Sequence, residues 1–363
     1  MTAPRPTGTS VDPPWRCGSA RGQEVASSAR HGGPALRPHT VGRRPAIING
    51  MHLLIPFASA LSEAASHVLR DLALPNLSQL CARLTLAQRD DADALTLSPP
   101  HERALAAAHG WEGADGCLPF AAQAAALDGI EVGDFAWGLV TPSHWHVGRD
   151  HVTLADPVAL DLGEAESRAA FEAVRELFES EGFRFAWGAP SRWYAAHESL
   201  VDLPCASLDR VIGRNVELWM RGSAARSASA KLVRRLQSEL QLLLYPHPLN
   251  DDREQRGALT LNSFWLSGCG RAQPEEGALP VIDATLRAPL LAEDWAAWAE
   301  AWRALDAGPI AGLLTASRAG EAVTLTLCGD RSAHRFEPLP QSLWKKLGSR
   351  FSTPETHTVL EAL

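Results

Sequence analysis

The sequence lacks several features that would place it in a specialised class of protein. The formal net charge is −8 and lysine occurs only as Lys231, Lys345 and Lys346, which argues against general binding to the phosphate backbone of nucleic acids. No apolar run approaches the roughly 18 residues that a membrane-spanning helix needs. The six cysteines form no C-x-x-C pair, and in a chain of this length they indicate reduced, mostly buried thiols in a cytoplasmic protein. The composition, 45% apolar and 21% charged, excludes a wholly disordered or fibrous protein.

The first 50 residues differ in composition from the rest of the chain. They hold seven Pro, seven Gly and seven Arg but only two acidic residues, Asp12 and Glu24. Such a segment buries too little apolar surface to offset the entropy lost on ordering, and its prolines oppose the amphipathic helix of a transit peptide. We therefore expect residues 1–50 to be a disordered tail, or the product of a start codon assigned too early, with the folded protein beginning at Met51.

From Met51 onward, the spacing of apolar residues alternates between strand and helix patterns. These patterns predict strands over residues 52–57 and 323–328, and helices over residues 74–84, 164–181 and 231–245. Trp295, Trp298 and Trp302 fall on one helical face, which favours packing in a core over a ligand platform. Strands and helices mixed in this way predict an α/β layered fold.

Two polar segments are candidates for binding chemistry. In the first, residues 141–151, an extended chain would project His144 and His146 to the same face, which suits a metal, an anion or ordinary hydrogen bonding. In the second, residues 207–214, Asp209, Arg210 and Arg214 surround a glycine turn. Arginine matches phosphate and carboxylate geometry, although a solvated ion-pair loop would have the same composition.

A third polar segment is the densest. It runs from His247 through Asn250 and Arg253, and continues at Asn262 into a strand-like stretch with small residues at 267, 268 and 270. Small residues let backbone amides approach a ligand closely. We therefore expect this segment to contribute to a binding site.

These segments, in this order, resemble the archaeal-type cofactor-independent phosphoglycerate mutases. The specific part of the resemblance is His247-Pro-x-Asn250, Arg253 and Asn262-x-x-Trp265-Leu266-x-Gly268-x-Gly270; the weaker parts are Leu74-Pro-Asn-Leu77, Asp209-x-x-x-Gly213 and Leu327-Cys-Gly-Asp-Arg-Ser332. Within that superfamily, the chain closely resembles a bacterial group, the regulatory protein RpfE type family. The resemblance implies an alkaline-phosphatase-like layered α/β core, residues 51–130 and 255–363, with a smaller inserted α+β domain, a mutase-like substrate domain, at residues 131–254.

The chain departs from that family where the family's chemistry takes place. The mutase reaction uses two metal ions and a serine that carries the phosphoryl group. Residues 56–59 (Pro-Phe-Ala-Ser) stand where the family has an Asp-Gly, and residues 91–97 lack the Gly-Ser of the nucleophile region. Arg331 and Leu208 stand in place of histidines, and arginine does not lose the proton that a metal ligand must lose. Since loss of the nucleophile alone costs on the order of 10⁶ in kcat, the resemblance implies negligible mutase activity.

Our leading hypothesis is a metal-free, cytoplasmic relative of phosphoglycerate mutase that needs no cofactor and binds a small anionic metabolite, such as a phosphorylated one, in a regulatory role. Neither nucleic acid nor membrane is an expected partner. The candidate ligand-binding residues are His144, His146, Asp209, Arg210, Arg214, His247, Asn250, Arg253, Asn262, Trp265 and Gly268.

Two alternatives belong to other functional classes. One is an active metal-dependent phosphoglycerate mutase or phosphatase with a rearranged site, in which His144, His146, His151 and Asp330 hold Mn or Zn. The other is a structural or interaction protein in which the glycine-rich turn only builds the fold.

Overall fold

The computed structural model describes residues 51–220, 226–338 and 355–363, so the expectations for residues 1–50 lie outside the described residues. The chain forms a mixed α/β structure with a five-stranded sheet, a four-stranded sheet and a small two-stranded ribbon. The predicted α/β class is therefore confirmed. Within the described ranges, no helix is both long enough and apolar enough to cross a membrane.

The regular elements are numbered in chain order. The strands are β1 (Met51–Ile55), β2 (Thr85–Asp91), β3 (Ala136–Ser143), β4 (Trp145–Val147), β5 (Val152–Leu154), β6 (Arg184–Ala189), β7 (Arg192–Ala196), β8 (Ser263–Arg271), β9 (Val281–Ile282), β10 (Val323–Cys328) and β11 (Ser332–Glu337). The helices are α1 (Glu63–Asp71), α2 (Pro75–Cys81), α3 (Pro100–His109), α4 (Phe120–Leu127), α5 (Glu164–Glu179), α6 (Leu208–Val211), α7 (Val216–Trp219), α8 (Ala228–Leu244), α9 (Pro248–Gln255), α10 (Arg287–Leu291), α11 (Trp295–Leu305), α12 (Ala311–Ala319) and α13 (Thr356–Glu361).

The five-stranded sheet has the order β2-β11-β10-β1-β9. Strand β1 runs parallel to both β10 and β9, whereas β11 is antiparallel to β10 and to β2. The carboxyl ends of β1 and β10 therefore lie at the same edge, where Asp330 follows β10. Ligands of α/β proteins commonly bind outside this edge.

Successive side chains of β1 face opposite sides of the sheet, as the two-residue period of a strand requires. Leu53 and Ile55 join a core with residues of α1, α2, α11 and α12. Leu54 points to the other side and packs beside Cys328, on the face that α3 covers. In α11, Trp298 and Trp302 are fully buried, which confirms that the tryptophan face packs in the core.

The four-stranded sheet has the order β6-β7-β3-β8 and its paired strands are antiparallel. One face packs against the apolar stripes of α5 and α8, including Phe171, Phe178 and Leu240. The opposite face packs against the alanines of α4. Strands β3 and β8 pair along most of their lengths.

The predicted helices and strands overlap observed elements, although the strand predicted over residues 52–57 is β1, which ends at Ile55. The segments predicted as helices contain α2, α5 and most of α8, and the strand predicted over residues 323–328 is β10. The predicted division into core and inserted domain stays a prediction. Strand β8, which that division assigned to the core, is paired with β3 in the four-stranded sheet.

Candidate functional site

The candidate site lies where the carboxyl edge of the five-stranded sheet meets α6. Ser207 caps this short helix, and its Oγ accepts a hydrogen bond from the backbone N–H of Asp209 at 3.3 Å. The helix turn directs Asp209 and Arg210 inward, and both side chains are buried. The site therefore combines residues of α6, the amino end of α3 and the turn after β10.

Asp209 is a buried carboxylate with two partners inside the protein. Arg287 donates from Nε and Nη2 to Oδ1 at 2.8 and 2.5 Å, and His101 Nε2 lies 3.3 Å from Oδ2. Burial by itself would raise the pKa of Asp209, but the charge of Arg287 and the contact with His101 outweigh burial and hold that pKa well below its usual range. The carboxylate is therefore ionised, and Arg287 balances its charge.

Glu102 follows His101 on α3 and is the second acidic residue of the site. Ser207 Oγ donates a hydrogen bond to Glu102 Oε1 at 2.5 Å. Burial raises the pKa of Glu102 to about 8, and the bond from Ser207 opposes this only in part. Glu102 is therefore mostly protonated at neutral pH. Both residues line a cavity of about 70 Å³, which also touches Asp209 and Gly268.

Arg210 is a buried residue of the site whose side-chain nitrogens are only partly hydrogen-bonded. It is 2% exposed, and its Nη1 donates to the backbone oxygen of Asp330 at 2.8 Å. Within the described ranges, Nε and Nη2 are buried and have no hydrogen-bond partner. These two groups form one edge of the guanidinium, and that edge binds two oxygens of a carboxylate or phosphate in parallel.

The surroundings of Arg210 carry more positive than negative charge. Arg214 Nη2 lies 3.3 Å from Asp330 Oδ1, and Arg210 Nη1 lies 3.6 Å from the same oxygen. Arg103 donates to Asp90 at 2.8 Å. These three guanidinium groups face the two carboxylates Asp90 and Asp330, and Glu102, the other acidic group near Arg210, is mostly protonated. Burial lowers the pKa of Arg210 against the opposing effects of Asp330 and Glu102. An arginine keeps its proton nevertheless, so this location favours an additional negative charge.

The structure brings together only some of the residues that the sequence predicted as ligand-binding. Asp209, Arg210 and Arg214 lie in the site described above, together with Asp330. Gly268 lines the adjoining cavity. Its φ is +63°, and an added Cβ would lie 2.9 Å from the backbone nitrogen of Ala121, so the position requires glycine.

The side-chain amides of two other predicted residues form hydrogen bonds to the backbone. The Asn250 side chain donates to the Leu244 and Leu261 oxygens and accepts from Leu261 N–H. Asn262 accepts from the N–H of Trp145 at 2.7 Å and donates to its oxygen at 3.0 Å. In each case both ends of the amide are occupied inside the chain.

Arg253 is also occupied by partners within the protein. It is 1% exposed and donates to the backbone oxygens of Leu259 and Leu160 and to Glu166 Oε2, the last at 2.8 Å. Its Nε, Nη1 and Nη2 therefore each have a partner. Unlike Arg210, this arginine presents no unpaired edge to a ligand.

His144, His247 and Trp265 also have hydrogen-bond partners within the protein. His144 lies 2.7 Å from the Thr260 oxygen through Nδ1, and its ring centre is 4.5 Å from that of His146. His247 caps α9 by accepting from the N–H of Leu249. Trp265 is buried and donates from Nε1 to the Ala206 oxygen at 2.8 Å.

The donors at the site do not fit the two metal ions that the family resemblance implies. Asp209 is paired with Arg287, and Asp330 is next to Arg210 and Arg214. The positive charge beside each carboxylate therefore comes from arginine, in the position that a metal ion would take if the carboxylate were a metal ligand. In the part of the chain that the structure describes, no three His, Cys, Asp or Glu residues are grouped as metal ligands would be.

Sequence reasoning missed three residues of the site, which are His101, Glu102 and Arg287, and it assigned no role to Ser207, the first residue of the predicted segment 207–214. Glu102 and Ser207 are far apart in the chain, and nothing in the spacing links them. The available signal was the polar run His101-Glu102-Arg103 directly after Pro99-Pro100. A polar run at the start of a helix indicates a candidate site at that end of the helix. It does not identify the residues that the run contacts.

Comparison with known proteins found similarity only among solved structures. One is the cofactor-independent phosphoglycerate mutase from Thermoplasma acidophilum DSM 1728, with a TM-score of 0.34 and 14% identity over 86% of this chain and 98% of that chain. Another is the PH0037 protein from Pyrococcus horikoshii, with a TM-score of 0.39 and 13% identity over 80% of this chain and 87% of that chain. No family model matches the chain, and no curated protein matches it.

Proposed function

We propose that this chain is a phosphoglycerate-mutase-like protein that binds a small oxyanion, a phosphorylated or carboxylated metabolite, at Arg210 without a metal ion. Its role would be regulatory and would follow from binding rather than from mutase chemistry. The observation that supports this proposal is the unpaired Nε/Nη2 edge of Arg210, a guanidinium buried at the carboxyl edge of the sheet.

An unpaired buried donor is costly, which is why such an edge points to a ligand. Leaving a buried polar group unsatisfied costs about 1–3 kcal/mol, and more when the group is charged. An oxyanion would satisfy both donors at once and would neutralise the excess charge of Arg103, Arg210 and Arg214. Each hydrogen bond to a charged group then contributes roughly 1.5–3 kcal/mol.

The test is calorimetric titration of the full chain with inorganic phosphate, 3-phosphoglycerate, glycerate and a neutral sugar. We expect binding of at least one oxyanion, and we expect Arg210→Gln to weaken it about tenfold or more, since one lost charged hydrogen bond exceeds the 1.4 kcal/mol of a tenfold change. Arg256→Gln is the matched control, because Arg256 is an exposed arginine paired with Glu166. Unchanged affinity in Arg210→Gln would place the anion elsewhere.

The same preparation separates the two alternatives. Elemental analysis after growth with Mn²⁺ and Zn²⁺ should find well under one equivalent of metal, whereas two equivalents that survive dialysis would favour the metal-dependent enzyme. If no oxyanion binds in the millimolar range, the chain would be better explained as a structural or interaction protein.

A further inference from the structure

We propose, beyond the anion site, that Ser207 and Glu102 form a catalytic pair that hydrolyses small uncharged esters in the adjoining cavity. In this pair Ser207 is the nucleophile and Glu102 is the general base. The proposal rests on the contact between the two side chains, on the cavity that both of them line, and on the composition of its walls.

The contact is that of a nucleophile with its base. Ser207 Oγ donates to Glu102 Oε1 at 2.5 Å, the length of a short hydrogen bond from a hydroxyl to a carboxylate that can accept its proton. The oxygen also accepts the N–H of Asp209, which orients it as the cap of α6. A helix cap needs only that second bond, so capping does not explain why a carboxyl group is buried against the hydroxyl.

The cavity restricts the kind of substrate. Its volume is about 70 Å³, which admits only a short acyl group. Four charged residues besides Glu102 line it: Asp156, Asp209, Arg192 and Arg287. Arg287 is paired with Asp209, and Arg192 with Asp128, so no unpaired cation faces the cavity from these lining residues. The other walls include Phe120 and Leu139. A neutral, mostly apolar ester fits these walls better than an anion.

The reaction balances without a cofactor. Ser207 Oγ forms a bond to the ester carbonyl carbon while its proton passes to the Glu102 carboxylate. The bond from that carbon to the alcohol oxygen then breaks, and the departing alcohol takes the proton from Glu102. Water, activated by Glu102, releases the acid from the acylated serine, and the proton returns to Ser207 Oγ.

The rate should depend on the ionisation of Glu102. The base form is the carboxylate, and burial raises the pKa of this group to about 8. The other titratable or charged groups around it are His101, Asp115, Asp209 and Arg210. Hydrolysis should therefore increase as the pH rises from 6 to 9 and level off above that range.

The test uses the full chain with p-nitrophenyl acetate and methanesulfonyl fluoride, a serine-reactive reagent about as small as an acetyl group. We expect the sulfonyl fluoride to modify Ser207, as mapped by peptide mass spectrometry, and to abolish hydrolysis. Ser207→Ala and Glu102→Gln should each reduce the rate by about a hundredfold or more. Ser238→Ala, an exposed serine that bonds to Arg234 on α8, should have no effect.

Two results would overturn the proposal. One is modification of a different serine, or of none, in the wild-type chain, a readout that needs no variant to fold. The other is a well-folded Ser207→Ala protein that keeps the wild-type rate and pH profile. The anion site is judged separately, because loss of phosphate binding in Arg210→Gln does not depend on modification of Ser207.

Discussion

Replacing Arg253 tests whether this residue stabilises the fold or binds a ligand. The side chain is 1% exposed and holds three acceptors, which are Leu259, Leu160 and Glu166. Arg253→Ala leaves the backbone oxygens of Leu259 and Leu160 without this donor, and two unsatisfied buried groups together cost about 2–6 kcal/mol, whereas Glu166 is 23% exposed and keeps Arg256 as a partner. We therefore expect Arg253→Ala to lower the free energy of unfolding by about that amount.

Arg256→Ala is the matched control for this prediction. Arg256 also donates to Glu166, but its side chain is 58% exposed, and exposed ion pairs contribute about 0–1 kcal/mol. Urea denaturation of both variants, followed by circular dichroism, measures the difference. Equal losses in the two variants would refute the reasoning from burial. A stable Arg253→Ala protein with weakened phosphate binding would show that Arg253 is a ligand residue.

Three further results are expected. Gly268→Ala should destabilise the protein more than Gly213→Ala, as measured by denaturation midpoints, because both positions have positive φ but only Gly268 would place a Cβ against backbone. Asp330→Asn should leave phosphate affinity unchanged or increase it in calorimetry, since it removes a carboxylate that competes for Arg210 and Arg214. The pKa of Glu102 is raised from 4.5 to about 8, so the folded state binds the extra proton and stability should fall as the pH rises through this window. Glu102→Gln should flatten that fall in denaturation at pH 5 to 8, and an unchanged slope would contradict the raised pKa.

The elements that the sequence predicted are those whose apolar residues follow a local period. The leucines of α8 and the alternating residues of β10 reveal their own structure. The pairing of β8 with β3 depends instead on residues more than 100 positions away, and no local pattern specifies a strand's partner. For the same reason β2, which is mostly exposed, had no apolar pattern by which to be recognised.

The sequence predicted the residues of the site only where several charged residues lie close together in the chain. Asp209, Arg210 and Arg214 lie close together in the chain, whereas Glu102 and Arg287 reach the site from distant helices. The density of polar residues around Asn250 and Asn262 has another cause in the structure. Buried backbone groups need partners, and these two amides supply them. A high density of polar residues in the sequence therefore does not show whether they bind a ligand or form hydrogen bonds with buried backbone groups.

Arg210 and Arg287 offer a final contrast, because both are buried arginines of the site but only Arg287 has its charge fully paired. Arg287→Met would leave the Asp209 carboxylate buried without its cation, and we expect a loss of about 3–5 kcal/mol. Arg210→Met removes the unpaired Nε and Nη2 groups, and Asp330 still has Arg214 as an ion-pair partner. In the wild-type chain two buried donors of Arg210 are unsatisfied, which costs about 1–3 kcal/mol for each and more because the group is charged, and Arg210→Met removes both. We therefore expect Arg210→Met to unfold at the same or a higher urea concentration than the wild-type chain while losing phosphate binding. A loss of more than about 3 kcal/mol in Arg210→Met would show that this arginine stabilises the fold and that its free edge is not kept for an anion.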